Sequence, residues 1–529
     1  MNKIFSPADF LHLLANVAKY GLKSHSGQVE PGDIFVVLPL ASPSGCVENN
    51  PDSSKFIADA IERGARVVLA QLEQIEAFQQ SNPTLAAKVD FYSVNDSRES
   101  LAKLAVAKFN TSPLPFPLVG ITGTNGKTTI TYLFEHLYKS CGKNTGVFGT
   151  VTYRWPGHEQ AAPLTTPDCL TVHSMLAKMR DSGPIGAAFL EVSSHALVQK
   201  RVLGVEFAGA IFTNLTQDHL DFHTSMEDYF QAKTKLFFSP YAAQNQVAVI
   251  NSDDPYGRKL LAMLTNAKPD KLLNADNCAK QIISFGLTGN PSQTYAGGAN
   301  TETGSTHKHL HGEILSSGRS GLQLGMSFEG CTWEISSPLV GNYNALNLLS
   351  VQALALNFGF KPSDFKCFEN FSGTPGRLER VFNPQNLHIF VDYAHSPDAL
   401  INVQRELKKA GFKRLITVFG CGGNRDRGKR PLMGAAVAKY ADIAVLTSDN
   451  PRKEDPLAIM DDVRPGLANC PQVIEEVNRR KAIALAIQAT GPEDALLVAG
   501  KGHEDYQIIG DIKYPFSDQK IIEEILLCK

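Results

Sequence analysis

The feature that most constrains the fold of this chain is a glycine-rich segment between a predicted strand and a predicted helix. The segment reads Gly123-Thr124-Asn125-Gly126-Lys127-Thr128-Thr129 and follows the apolar run 118–121, and apolar residues recur after it at helical spacing. The backbone N–H groups of such a turn and the positive end of the helix bind phosphate. Lys127 can reach the terminal phosphates, and the Thr128 hydroxyl can hold Mg²⁺.

The match to the general phosphate-loop pattern is imperfect, because Ile121 stands six positions before Lys127, where the pattern has glycine. The alternative is a tight strand-to-helix turn with a chance lysine. Since the strand, the glycines, the Gly-Lys-Thr sequence and the helix coincide, we expect a loop that binds ATP. Such a loop says little about the second substrate.

Further strands alternate with helical patterns, which predicts an α/β fold with mainly parallel sheets. Strands are predicted at 118–121, 187–192, 208–213, 246–250, 387–392, 415–419, 443–447 and 495–499. The chain of 529 residues is too long for one ordinary core. We therefore predict three domains: an N-terminal domain at 1–113 that ends in a Pro-rich linker, a central P-loop-type domain at 114–374, and a C-terminal Rossmann-like domain at 375–529. Residues 268–318 are polar and predict an insertion or mobile excursion without an assigned function.

Composition excludes several classes of protein. The net charge of −2 gives no overall basic field for nucleic acid. No apolar run approaches the ~20 residues that span a membrane, and the first twenty residues lack a signal-peptide pattern. The nine scattered cysteines form no CxxC pair, which favours a reducing cytoplasm over a disulfide framework.

Beyond the phosphate loop, Glu191 and His219 suggest a metal site, and Lys233 follows them in the chain. Glu191 ends one predicted strand and His219 follows the next, and ligands bind at such strand ends in open α/β sheets. Singly, each is more often structural. Lys233 shares a helix face with apolar side chains, and burial there disfavours its ammonium. Spacing alone favours a lysine that reaches solvent.

Taken together and in order, these segments resemble the Mur ligase family of ATP-dependent amide-bond ligases. The resemblance covers the central and C-terminal domains and adds 341–347, 375–379 and 392–397. It implies that ATP is contacted by the loop residues and by Asn251, Asn344, Asn347, Arg377 and Asp392. It also implies that Lys127, Glu191, His219 and Lys233 are catalytic, with Thr128, Glu191, His219 and a carbamate on Lys233 placing Mg²⁺.

Other matches to the family imply contacts with a UDP-linked muramoyl peptide. The residues concerned are Ser26, Thr165, Thr166, Ser193, Gln199 and Arg201. Serine and threonine at strand ends also cap helices, which is the alternative. The N-terminal domain departs from the family, because His25-Ser26-Gly27 replaces its usual Asp-Ser-Arg and residues 46–54 replace its Asp-Gly-His segment.

The segment Asp449-Asn450-Pro451-Arg452 resembles the motif with which some family members recognise diaminopimelate, and Arg425, Gly500 and Glu504 match the remaining contacts. An arginine fork can hold the distal carboxylate of diaminopimelate bidentately, whereas lysine has no carboxylate there. Glu504 can hold the distal ammonium. The alternative is a simple turn with an exposed arginine.

The resemblance implies a cytoplasmic, monomeric ligase that adds meso-diaminopimelate to UDP-N-acetylmuramoyl-L-alanyl-D-glutamate in peptidoglycan synthesis, through an acyl phosphate. Partners other than these substrates, such as nucleic acid or a membrane, are not expected. The alternatives are a sister ligase that adds lysine or another amino acid, a folylpolyglutamate synthetase-like ligase, and a nucleotide-binding regulatory protein whose catalytic site has decayed.

Overall fold

The computed structural model describes residues 4–6, 9–39, 53–238, 240–265, 281–288, 306–381 and 383–527. By its internal contacts the chain divides into two compact units. The first comprises residues 1–311 and 350–360, and the second comprises residues 312–349 and 361–529. In the described parts of the chain, no helix is both long enough and apolar enough to cross a membrane.

The N-terminal part of the first unit is a parallel sheet with strand order β1-β5-β4-β3-β2. Its strands are β1 Ile4–Phe5, β2 Leu22–Lys23, β3 Ile34–Val36, β4 Val67–Ala70 and β5 Asp90–Ser93. Its helices are α1 Phe10–Asn16, α2 Ser53–Glu62, α3 Leu72–Ser81, α4 Pro83–Ala86 and α5 Ser97–Phe109. The side chain of Asp96 caps α5 by accepting from the backbone N–H groups of Arg98 and Glu99.

The central sheet of the first unit is built around β6, which lies between β10 and β11. Its strands include β6 Leu118–Thr122, β7 Thr145–Phe148, β8 Thr152–Trp155, β9 His158–Ala161, β10 Ala187–Glu191, β11 Phe207–Phe212, β12 Ala242–Asn251, β13 Gln281–Gly286 and β14 Thr306–Gly318. The helices are α6 Lys127–Ser140, α7 Cys169–Asp181, α8 Ser194–Val198, α9 Met226–Thr234 and α10 Pro255–Thr265. Across the sheet, the strands in the order β13-β12-β11-β6-β10-β7 run parallel to their neighbours. The strands β8 and β9, which follow β7 at the edge, pair antiparallel. The predicted strands are confirmed to within a few residues.

The second unit contains the antiparallel pair β15 Gly321–Phe328 and β16 Cys331–Ser337, the start of α11 Asn342–Asn357, and a sheet with order β17-β18-β22-β19-β20-β21. This sheet comprises β17 Glu379–Val381, β18 His388–Asp392, β19 Leu415–Phe419, β20 Ile443–Leu446, β21 Gln472–Glu475 and β22 Ala495–Ala499, followed by the hairpin β23 Tyr506–Ile509 and β24 Ile512–Pro515. Its helices are α12 Pro397–Lys409, α13 Lys429–Ala438, α14 Pro456–Val463, α15 Arg479–Ala489 and α16 Asp518–Leu527. Separate apolar clusters contain alternate side chains of β18, β19 and β22, as a doubly wound sheet requires.

The prediction of an excursion at 268–318 is wrong for part of that range. Residues 281–286 form β13, which pairs in parallel with β12, and residues 306–311 of β14 pair in parallel with β13. Polar composition hid these strands, because β14 exposes many of its side chains. Residues 268–280 and 289–305 of the predicted insertion lie outside the described residues, as do residues 46–52 of the divergent N-terminal segment.

Candidate functional site

The central sheet brings its candidate residues together through strand order. Glu191 at the end of β10 pairs with Ile121 of β6, and Phe212 at the end of β11 pairs with Thr122. The loops that leave β6, β10 and β11 therefore start side by side. Such an edge is where open parallel sheets bind ligands.

The phosphate loop is a tightly packed turn that requires glycine. Gly123 has φ +144°, and a Cβ added to it would lie 1.9 Å from Thr213 Oγ1. The loop is also held from the end of β11. Asn125 N–H donates to Asn214 Oδ1 at 2.9 Å, and Thr213 Oγ1 donates to the Asn125 carbonyl at 2.6 Å. The sequence did not single out Asn214, although its position after a predicted strand was the available clue.

Two lysines converge on one carbonyl of this loop. Lys127 Nζ and Lys233 Nζ each donate to the Gly123 carbonyl at 2.9 Å, and Lys127 also donates to the Thr124 carbonyl. Lys233 is 1% exposed. Burial, together with the positive charge of Lys127, lowers the pKa of Lys233 well below its ordinary value, with Asp218 opposing the shift. The alternative prediction that Lys233 reaches solvent is therefore wrong.

Thr128 and Glu191 are in direct contact, as a shared metal site requires. Thr128 Oγ1 donates to Glu191 Oε2 at 3.0 Å. Thr150, which sequence reasoning missed, donates its N–H to Oε1 and its hydroxyl to Oε2 of the same carboxylate, both at 2.9 Å. Glu191 is fully buried, so these donors supply the hydrogen bonds that its carboxylate oxygens need. Nothing in the sequence distinguished Thr150 from other threonines.

His219 is the exposed member of the predicted metal set. It has φ +54°, its side chain is 42% exposed, and its Nε2 lies 3.6 Å from Asp218. Burial lowers the pKa of His219, although the charge of Asp218 opposes this. Across the described residues, no group of three His, Cys, Asp or Glu side chains is arranged to hold a metal ion. The predicted set contains only two side chains of these types, Glu191 and His219, and it stays a prediction. A Mg²⁺ ion held by Thr128 and Glu191 would need phosphate and water oxygens as its other ligands, which is common for Mg²⁺.

Asn251 braces this edge of the sheet. Its side-chain amide donates to the Thr213 carbonyl at 2.7 Å, and its Oδ1 accepts from the Asp253 N–H at 2.9 Å. Because Thr213 in turn bonds to the phosphate loop, Asn251 stabilises the loop from the next strand. Its predicted contact with ATP stays a prediction.

The residues predicted to contact the muramoyl peptide form one network next to Glu191. Thr166 Oγ1 donates to the Glu191 carbonyl at 2.8 Å and accepts from Ser193 N–H at 3.0 Å. Arg201 donates to the Thr166 carbonyl at 3.0 Å and to Gln199 Oε1 at 2.9 Å. Thr165 joins the network through its Oγ1, which lies 3.2 Å from Thr150 Oγ1.

A cavity of ≈ 340 Å³ extends from this network to the N-terminal sheet. Its lining includes Ser26, Gln199 and Arg201, which were predicted, and Arg98, which was not. Arg98 donates to the carbonyls of Gln199 and Pro39, at 3.0 and 2.9 Å. Ser26 is 7% exposed, and its hydrogen bond lowers the pKa of Asp59. The guanidinium groups of Arg98 and Arg201 make the cavity suited to an anion.

In the second unit, the two side-chain amides predicted to contact ATP bond to each other. Asn347 Nδ2 donates to Asn344 Oδ1 at 3.1 Å, and Asn344 Nδ2 donates to the Val340 carbonyl at 2.8 Å. Both residues are buried.

Arg377 and Asp392 lie close together at the end of β18. Asp392 accepts from the N–H groups of Leu378 and Ala394, at 2.7 and 2.8 Å. Burial raises the pKa of Asp392, and the charge of Arg377 opposes this shift. The guanidinium of Arg377 lies 5.5 Å from the centre of the Tyr393 ring, so the turn orients a cation beside a carboxylate.

The segment 449–452 leaves the end of β20 and packs against the loop after β19. Arg452 has φ +53°, and its Nη1 donates to the Gly423 carbonyl at 2.9 Å. Gly423 lies so close to the carbonyl of Pro451 that an added Cβ would be 1.9 Å from it. Arg425 is exposed. A Cβ added to Gly422 would lie 3.7 Å from Arg425 Cγ and 3.0 Å from Arg452 Nη1, so both arginines flank this glycine.

Lys501 is the residue that sequence reasoning missed in this cluster. It is fully buried, and its Nζ donates to Asp449 Oδ1, Asn450 Oδ1 and Glu504 Oε2 at 3.3–3.4 Å. Asn450 Nδ2 donates to the same Glu504 oxygen at 3.1 Å. Gly500 has φ +115°, and an added Cβ would lie 3.4 Å from Asp449 Oδ2. The available clue was the position of Lys501 directly after a strand, beside predicted substrate residues.

Comparisons with known proteins agree with this geometry. A family model described as Mur ligase middle domain matches residues 121–355, and one described as Mur ligase, glutamate ligase domain matches residues 376–502. The UDP-N-acetylmuramoyl-L-alanyl-D-glutamate–2,6-diaminopimelate ligase of Lawsonia intracellularis is 51% identical over 504 residues, which cover 95% of each chain. The corresponding ligase of Aquifex aeolicus is 39% identical over 96% of this chain and 93% of its own.

A solved structure of a UDP-N-acetylmuramoyl-L-alanyl-D-glutamate–2,6-diaminopimelate ligase matches with a TM-score of 0.66 and 30% identity, covering 96% of this chain and 95% of its own. Its similarity extends across the N-terminal, central and C-terminal parts, so the architecture has three α/β domains. On the strength of these matches over nearly its full length, the chain belongs to the Mur ligase family.

Proposed function

We propose that this protein is an ATP-dependent ligase that joins meso-diaminopimelate to UDP-N-acetylmuramoyl-L-alanyl-D-glutamate in peptidoglycan synthesis. The observation that carries the proposal is the cluster at the ends of β20 and β22. There an arginine fork, Arg452, lies in the same segment as the buried Asp449 and Asn450, and Glu504 bonds to Asn450. An arginine and a carboxylate together match the carboxylate and ammonium at the distal end of diaminopimelate. The names of relatives that are 51% and 39% identical support the same substrates.

ATP fits the phosphate loop of the central domain. The loop precedes the N terminus of α6, whose positive end favours phosphate. In this proposal the loop N–H groups and Lys127 bind the β- and γ-phosphates, while Asn251 braces the loop. Asn344, Asn347, Arg377 and Asp392 complete the nucleotide contacts, as the family resemblance implies.

Mg²⁺ fits the pair formed by Thr128 and Glu191, a hydroxyl and a buried carboxylate in mutual contact. When bound, the ion offsets negative charge on the phosphates during phosphoryl transfer. Thr150 keeps Glu191 oriented by two hydrogen bonds. His219 completes the proposed set, as the family resemblance implies.

Lys233 is proposed to carry a carbamate. Its neutral amine would attack CO₂, forming an N–C bond as one C–O π bond opens, and a proton leaves the nitrogen. The lowered pKa of Lys233 favours the neutral amine that this reaction needs. The product is an anion next to Lys127, which replaces a repulsion between two cations by an attraction.

The proposed reaction uses two positioned groups in sequence. The γ-phosphoryl group moves from ATP to the D-glutamate carboxylate, giving an acyl phosphate and ADP. The amine of diaminopimelate attacks the acyl carbon, phosphate leaves, and the nitrogen loses a proton to give the amide. Lys127 offsets charge in the first step, and Arg452 with Glu504 orients the amine for the second.

The cavity lined by Ser26, Gln199 and Arg201 is proposed to hold the UDP-muramoyl moiety. The peptide of this substrate would contact Thr165, Thr166 and Ser193. Arg425, Asp449, Asn450, Pro451, Gly500 and Glu504 complete the proposed amino-acid site with Arg452. In this proposal, the domain boundaries lie between residues 113 and 114 and between residues 374 and 375. The protein is a monomer located in the cytoplasm.

An ADP-release assay coupled to detection of the amide product tests this function. Purified protein is given ATP, Mg²⁺, the UDP-muramoyl dipeptide and either diaminopimelate or lysine. We expect turnover with diaminopimelate and little with lysine. A preference for lysine would favour a sister ligase. Turnover only with a folate and glutamate would favour the folylpolyglutamate synthetase alternative, and no turnover with any acceptor would favour a protein whose catalytic site has decayed.

A further inference from the structure

Lys501 occupies a position that the proposed reaction does not explain. It is fully buried, and it lies between two carboxylates, Asp449 and Glu504, with Nζ 3.4 Å from an oxygen of each. Asn450 Oδ1, which also accepts from the Ile508 N–H at 2.9 Å, is a third acceptor at 3.3 Å. A buried ammonium is costly unless it is paired, so this lysine is held by the two carboxylates and holds them in return.

Lys501 also offsets the negative charge of the cluster. Arg479, another buried cation near these carboxylates, is already paired with Asp518, which accepts from it at 2.7 and 2.8 Å. Removing the ammonium of Lys501 would leave Asp449 and Glu504 less well neutralised. Their local charge would become more negative by one unit, only partly screened by water.

We propose that Lys501 is a specificity-determining positioning residue, which lowers the negative charge of the amino-acid site so that a bare ammonium is not a preferred ligand. This inference rests on the proposed function. The distal end of diaminopimelate carries one ammonium and one carboxylate, and is neutral overall. The distal end of lysine carries only the ammonium. A more negative site therefore favours lysine and disfavours the carboxylate of diaminopimelate.

The test compares kcat/KM for diaminopimelate and for lysine in wild type, Lys501→Met and Lys501→Arg. Met preserves the length of the side chain without its charge, and Arg preserves the charge. We expect the diaminopimelate-to-lysine ratio to fall about tenfold in Lys501→Met, the effect of one charge at partly screened contact distance. Lys501→Arg should keep the ratio, whatever its overall activity, and the KM for ATP should not change in either variant.

The ratio separates this role from a merely structural one, because loss of folded enzyme lowers turnover with both amino acids by the same factor. An unchanged ratio in Lys501→Met, with diaminopimelate still ligated by wild type, would overturn the inference and leave the proposed function standing. If wild type ligated neither amino acid, the proposed function itself would be wrong and the inference with it. Where Lys501→Met does not fold, Lys501→Gln replaces it, and failure of both to fold would assign the lysine to stability alone.

Discussion

Replacing Arg452 by alanine should weaken diaminopimelate use without unfolding the protein. The backbone of this residue is in the left-handed region at φ +53°, where arginine and alanine pay a similar cost. Its main-chain hydrogen bonds, from Arg452 N–H to the Ile508 carbonyl at 3.1 Å and from Gly510 N–H to the Arg452 carbonyl at 2.7 Å, remain in the variant. We therefore expect the free energy of unfolding to change by less than about 1 kcal/mol.

The size of the catalytic effect follows from the guanidinium. Its Nη1 donates to the Gly423 carbonyl, so the edge formed by Nε and Nη2 is the one suited to a bidentate carboxylate. A charge-assisted pair of this kind contributes about 1.5–3 kcal/mol. Its loss should lower kcat/KM for diaminopimelate by roughly ten- to over a hundredfold, mainly through KM.

The assay is initial-rate amide formation with each amino acid, with thermal unfolding as the control for folding. Arg452→Lys is the matched variant, because it keeps the positive charge and loses the fork, and we expect an intermediate loss. Turnover with lysine need not rise, since removing a fork does not build a lysine pocket. Full efficiency with diaminopimelate in folded Arg452→Ala would refute the assignment.

Three further predictions concern the first unit. Lys127→Ala should abolish ATP turnover while the circular dichroism spectrum stays unchanged, and near-normal ligation by the folded variant would contradict the phosphate-loop assignment. Lys233→Ala should be nearly inactive, with partial rescue by short carboxylic acids that supply the lost anion; intact activity would exclude an essential carbamate. Burial lowers the pKa of His173 to about 4, so the folded protein keeps this ring neutral while the unfolded chain protonates near 6.5. Stability should therefore fall by roughly 3 kcal/mol as the pH decreases through that window. In denaturant unfolding at several pH values, the free energy of unfolding should depend less on pH in His173→Gln than in wild type. An identical dependence would rule out this residue as the cause.

The sequence by itself determined the elements and their chemistry. The apolar runs predicted β6, β10, β19 and β22 nearly to the residue, because strands buried on both faces are continuous apolar segments. The glycine-rich loop was predicted because a strand, glycines, a Gly-Lys-Thr sequence and a helix follow one another. In the fold, Gly123 occupies a position where any Cβ would strike Thr213. Strands and turns of this kind depend on the order of consecutive residues, so the local sequence is enough to predict them.

The tertiary structure decided which of these residues meet. Strand order, which no local pattern encodes, puts β6 between β10 and β11 and so brings Thr128 against Glu191. The same packing buries Lys233 beside Lys127, where spacing alone favoured an exposed lysine. In the C-terminal sheet, packing of the loops after β20 and β22 surrounds Lys501 with acceptors from two separate segments of the chain. Burial and charge at a side chain depend on neighbours that are distant in sequence, which is why the roles of these lysines emerged only from the fold.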